Sequence, residues 1–142
     1  MDSFFPVFAY HVQTLTTEPV RIGILRSLAD ADLSDNGLCI ATYRNDETQS
    51  IKDQGFEGQF RLRIDFVYTI AIISNISEAK CNEQATILLA TLEPGIDIHV
   101  TYNNVNYSIY LDSINDKIEF NPDLNVWIET LAFTGHTYQK EI

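Results

Sequence analysis

Phe60-Arg61-Leu62-Arg63-Ile64-Asp65-Phe66-Val67-Tyr68-Thr69-Ile70-Ala71-Ile72-Ile73 is the stretch whose reading decides the fold. Its first half alternates strictly, with Phe60, Leu62, Ile64 and Phe66 on one face and Arg61, Arg63 and Asp65 on the other. That is the period of two of a strand with one wet face. Past Phe66 the second face becomes Val67, Ala71 and Ile73, so both sides at that end need cover from a helix or a neighbouring subunit.

Downstream, Ser77 to Leu92 reads as a helix: Ser77 as N-cap, Glu78 in the first turn, then Cys81, Ala85, Leu88, Leu89 and Leu92 on one stripe, stopped by Pro94-Gly95. Burying each leucine contributes roughly 1.5 to 3 kcal/mol before entropy, which suits a face packed on the sheet. Ile96, Ile98, Val100 and Tyr102 alternate with polar residues, and after Asn103-Asn104 the alternation resumes as Val105, Tyr107, Ile109 and Leu111. Two asparagines tolerate the positive φ of a tight turn, so a hairpin is predicted. A minor strand follows at Ile118 to Phe120, a turn at Asn121-Pro122-Asp123, and a long aromatic and β-branched strand at Val126 to Tyr138.

Upstream, Arg44 to Gly58 is polar, with only Ile51 and Phe56 as large apolar residues and glycines at 55 and 58, and reads as a long mobile loop. Leu38 to Tyr43 is a short strand. Thr17-Glu18-Pro19 with Val20, Ile24 and Leu28 predicts a helix, and Phe4, Phe8, Val12 and Leu15 predict another, with Pro6 in its first turn. The order implies an α+β domain: an antiparallel sheet of about four to five strands, one main helix packed on it, and N-terminal helices.

The 142 residues fit a single domain, 1–142, without repeats or a composition break. A formal charge of -11 repels phosphate backbones and anionic headgroups, which disfavours groove binding to nucleic acid. Apolar runs fall short of the roughly 20 residues that span a bilayer. The N-terminus lacks the basic start of a secretory signal, and two cysteines make no disulfide framework, so synthesis in a reducing cytoplasm is expected.

Chemistry is sparse. His11, His99 and His136 share no metal-ligand spacing, and His99 and His136 read as exposed and uncommitted. Cys39 and Cys81 read as small core residues. Asp32-x-Ser34-x-Asn36-Gly37 copies the first half of a calcium loop, making Asp32, Ser34 and Asn36 the calcium candidate, but position twelve is Tyr43 where a bidentate glutamate belongs. Phosphate loops, dinucleotide glycine patterns and nucleophile elbows are absent, so neither a catalytic site nor a cofactor is expected. Arg61 and Arg63 share a strand face, where they could bind an anion or pair with Asp65 and cross-strand acids.

The block Phe60 to Tyr138, with its long strand, the helix Ser77 to Leu92, the hairpin across Asn103-Asn104 and the closing strand from Val126, resembles the tail terminator proteins of long-tailed phages in element order and texture. The resemblance implies a non-enzymatic protein, made in the host cytoplasm, that forms a ring, commonly a hexamer, at the head-proximal end of the virion tail. Such a ring stops tube growth and joins the head. Its partners would be copies of itself, the tail tube protein and possible sheath and head-side connector proteins, with DNA passing the lumen unbound. Arg44, Asp46, Glu47, Lys52, Asp53 and Phe56 of the loop, with Arg61 and Arg63, are then the interface candidates. A tube or connector subunit, or a small calcium- or ligand-binding module, is the alternative.

Overall fold

The computed structural model describes residues 3–23, 33–53 and 60–140. In chain order the elements are α1 (Phe5–Leu15), β1 (Val20–Ile22), β2 (Leu38–Asp53), β3 (Phe60–Ser74), α2 (Glu78–Leu89), β4 (Asp97–Tyr102), β5 (Val105–Asn121) and β6 (Val126–Lys140). The strands form one sheet in the order β1-β2-β3-β6-β5-β4. β1 lies parallel to β2 and every other pair is antiparallel.

This corrects the α+β expectation of four to five antiparallel strands beneath one main helix. The described residues are mostly sheet, six mixed strands in a curled half-barrel with two short helices. Three segments account for the difference. The helix expected after Thr17 is, at Val20–Ile22, a strand in register with Ile40–Thr42, and its continuation through Ile24 and Leu28 falls outside the described residues. The expected polar loop from Arg44 is the second half of β2, whose pairing with β3 runs on to Asp53↔Phe60, and 54–59 lie outside the described residues. The minor strand at Ile118 to Phe120 is the far end of a 17-residue β5.

Periodicity fails over β2 for a physical reason. A bulge between Arg44 and Asp46 shifts the register by one residue, so the alternation of β2 breaks there, and beyond it the face away from the helices carries Asp46, Thr48 and Ser50. The hairpin is as predicted: Asn103 and Asn104 take φ of 51° and 64° between β4 and β5. α2 starts at Ser77, whose side chain accepts from the Lys80 amide.

The core lies on one face. Phe4 and Phe8 of α1 and Cys81, Ala85 and Leu88 of α2 cover Ile64, Phe66, Tyr68, Ile70 and Ile72 of β3 with Leu131 and Phe133 of β6. Phe8 has its ring within 6.1 Å of the Phe66, Tyr68 and Phe133 rings. A smaller cluster, Cys39, Ile73 and Val126, sits at the end of the opposite face. That is the end of β3 where two-sided cover was expected.

Gly135 permits the closest approach in the sheet. A Cβ there would stand 2.5 Å from the Tyr110 carbonyl oxygen and 2.7 Å from Phe66 Cζ. Gly135→Ala is expected to lower unfolding free energy by about 1–3 kcal/mol, measured by urea denaturation, because β5 backbone and a buried ring must both shift.

Candidate functional site

A strand inside a sheet spends its backbone groups on two neighbours, and an edge strand leaves one row open. β3 and β6 are paired on both sides. β1 meets β2 only at Ile40–Thr42, and β4 meets β5 only over Val105–Tyr110. Among the described residues, therefore, the outer edge of β2 from Tyr43 to Asp53 and that of β5 from Asp112 to Asn121 have no strand partner. Bulges at Asn45 and Asp112 leave Asp46–Asp53 and Ser113–Asn121 uninterrupted.

Arg44, Asp46, Glu47, Lys52 and Asp53 all fall on that β2 edge, on a strand instead of a loop. Phe56 lies outside the described residues. Arg61 and Arg63 are on interior β3, with Arg61 in register between Lys52 and Lys140. Arg63 is committed within the sheet: Nη2 donates to Asp65 Oδ1 at 2.9 Å and Nη1 to the Tyr138 hydroxyl at 3.0 Å. Of the two roles expected for it, pairing with Asp65 is the one the geometry shows.

The face away from the helices is polar and small-chained across the middle of the sheet. By register it presents Asp46, Thr48 and Ser50 of β2, Asp65, Val67 and Thr69 of β3, Thr130, Ala132 and Thr134 of β6, and Ser113, Asn115 and Lys117 of β5.

Glu47 is turned to the helix side. Its Oε1 accepts from the Tyr68 hydroxyl, from Ser3 Oγ at 2.7 Å and from the Phe5 amide at 3.2 Å, so a carboxylate 42 residues away caps the positive end of α1. Burial, reinforced by the Glu47 carboxylate, pushes the Tyr68 phenol well above its usual range.

Two further polar groups lie within the fold. His136, read from sequence as uncommitted, has Nδ1 3.0 Å from Asp112 Oδ2, and its ring stacks on Tyr110 at 5.2 Å. They border a cleft of about 190 Å³ closed by Gly95, Ile96 and Asp97. The bulge at Asp112 brings that carboxylate to the histidine, and strand alternation gives no sign of it. Glu129, near the start of β6, is 2% exposed, with its Oε1 unpartnered. Burial, then the neighbouring Asp116 and Glu78, push its carboxyl up to about 7. Beside it, burial and Glu129 push the Cys81 thiol up to about 11, so at neutral pH Cys81 is a protonated core residue.

Of the calcium candidate, Asp32 is outside the described residues. Ser34 Oγ accepts the Asn36 amide at 3.3 Å, and Asn36 Nδ2 donates to buried Glu18 at 2.8 Å, so both serve the turn before β2. Among the described residues no group of three or more His, Cys, Asp or Glu is arranged to hold a metal ion. No described helix is long and apolar enough to cross a membrane. A scan against protein-family models and a search of curated proteins find no match to this chain.

Glu47→Ala strips the Tyr68 hydroxyl and the first turn of α1 of their acceptor. It is expected to cost about 2 kcal/mol in denaturant melts, and Glu47→Gln, which keeps an oxygen there, is expected to cost less.

Proposed function

We propose that this chain is a structural virion protein without enzymatic activity, a tail terminator of a long-tailed bacteriophage whose copies close into a ring, commonly of six, at the head-proximal end of the tail. The observation that carries the reading is the pair of edges at β2 and β5 that have no strand partner among the described residues.

Following the pairings, β2 is antiparallel to β3, β3 to β6 and β6 to β5, so β2 and β5 run in opposite directions. The β5 edge of one copy laid beside the β2 edge of the next therefore continues the same antiparallel sheet with the same face outward. Such a head-to-tail contact makes rings when its rotation closes. β1 blocks one end of β2 and β4 the opposite end of β5, so the two edges meet only in stagger. Asp116, near the middle of the β5 edge, is in register through Leu131 and Ile70 with Thr42, whereas the β2 edge centres on Thr48. Counted along the unbulged β3, from Ile70 to Asp65, the offset is five residues, about 17 Å, across four strands about 4.8 Å apart. That corresponds to a strand tilt of about 40°, within the range closed barrels use.

In this ring the polar, small-chained face lines the lumen, and the excess of 20 acidic over 9 basic residues lets DNA pass without adhering. The tail tube protein contacts one rim. Sheath and head-side connector proteins are the further partners. A tube or connector subunit has the same need for paired edges, and the two readings separate by what happens to tube growth.

Adding the protein to polymerising tail-tube protein is expected to arrest elongation, and copolymerisation into longer tubes would favour a tube subunit. Successive residues of a strand point their amides to opposite sides, so of Thr48→Pro and Gln49→Pro one removes an outward donor and spares the β2–β3 ladder. That variant is expected to fold with a native circular dichroism spectrum and to lose both ring formation and the arrest. Retained arrest would contradict the edge contact.

A further inference from the structure

Glu129 stands where the core expects a hydrocarbon. It is in register with Ile72 of β3 and Ile118 of β5 on the face that α2 covers, between Trp127 and Leu131 of its own strand. One carboxylate oxygen has no partner and almost no water. From α2 it is faced by Glu78 and by the Cys81 thiol, and from β5 by Asp116, which pairs with Leu131 and so stands diagonal to Glu129 on the same face. β3 contributes Ser74, whose hydroxyl is engaged by the amides of Ile76 and Ser77 at the start of α2.

Among the described residues no cation compensates. Lys80 pairs with Glu83, and Lys117 pairs with Glu119 on the opposite face. A carboxyl shut away from water, with no cation beside it and a second acid facing it, holds its proton more tightly than one in water.

We propose that Glu129 and Asp116 form a proton-holding carboxyl pair that fastens the N-terminal half of α2 to the β5–β6 ribbon and loosens it when the proton is lost. Asp116 is solvent-exposed and is the route by which the proton leaves to water, with both carboxylates then charged. Glu78 on α2 is the third charge of the same sign, so repulsion acts across the helix-to-ribbon contact. Opening α2 hydrates Glu129 and relieves it.

The direction follows from Glu129 titrating near 7 when folded and near its ordinary 4.5 when exposed. The closed arrangement binds the extra proton between these values. Its advantage is complete below about 4.5, declines as pH rises to about 7, and is gone above.

Hydrogen exchange of the α2 amides, corrected for intrinsic rates, tests this from pH 4.5 to 9. The opening equilibrium of the unaltered protein is expected to rise at least about tenfold between pH 4.5 and 8. Glu129→Gln, uncharged at every pH, is expected to abolish that rise, and Asp116→Asn to move it to lower pH. A pH-independent equilibrium in the unaltered protein, or an unchanged slope in Glu129→Gln, overturns the proposal. If Glu129→Gln does not fold, the Asp116→Asn shift decides. Millimolar magnesium or calcium at pH 8 is expected to have no effect, and suppression of opening by either ion would make the pair a cation site instead.

Discussion

Every backbone donor and acceptor of a long strand has to be met on both sides, and among the described residues strand partners meet them only at the centre of this sheet. β3 and β6 are fully flanked, whereas β1 and β4 are too short to complete β2 and β5. The short caps lie at opposite ends of the sheet, so the open edges are offset and can join only with the stagger that a tilted, closing sheet requires. The functional reading depends on that offset.

The rest of the architecture keeps the edges extended and one face free. Both helices crowd the other face, where aromatic rings from α1, β3 and β6 interlock around Phe8. Glu47 ties the β2 edge to the start of α1, so the edge is fixed to the core although no described strand lies outside it. Glu129 and Asp116 make the corresponding link beneath α2, conditional on a proton. Ring assembly draws on the β5 edge, which includes Asp116, whereas helix loosening turns on Glu129 inside the sheet, so Glu129→Gln tests the second without altering the edge.

The strongly periodic segments were legible in the sequence. The alternation from Phe60, the stripe from Cys81 to Leu88 and the Asn103-Asn104 turn each follow from a side chain's need for one face or one sign of φ. What escaped lacks periodicity. Arg44 to Ser50 forms a bulged edge with little apolar surface to bury, so its composition matches a loop. Val20–Ile22 is held as a strand by pairing with Ile40–Thr42, a contact distant in sequence that local spacing cannot report. At the candidate site, Arg44, Asp46, Glu47, Lys52 and Asp53 were picked as loop residues and prove to share an edge. The contacts of Glu47, His136 and Glu129 gave no local signal, because Ser3 is brought to Glu47 by the packing of α1 on the sheet, and Asp112 and Asp116 to the other two by strand pairing.

The central claim is that the open β2 and β5 edges satisfy one another between copies. Native mass spectrometry of the purified full chain near neutral pH tests it most directly. The account predicts a closed particle of about six subunits. A monomer at micromolar concentration, with the sheet folded and its edges still open, would contradict it.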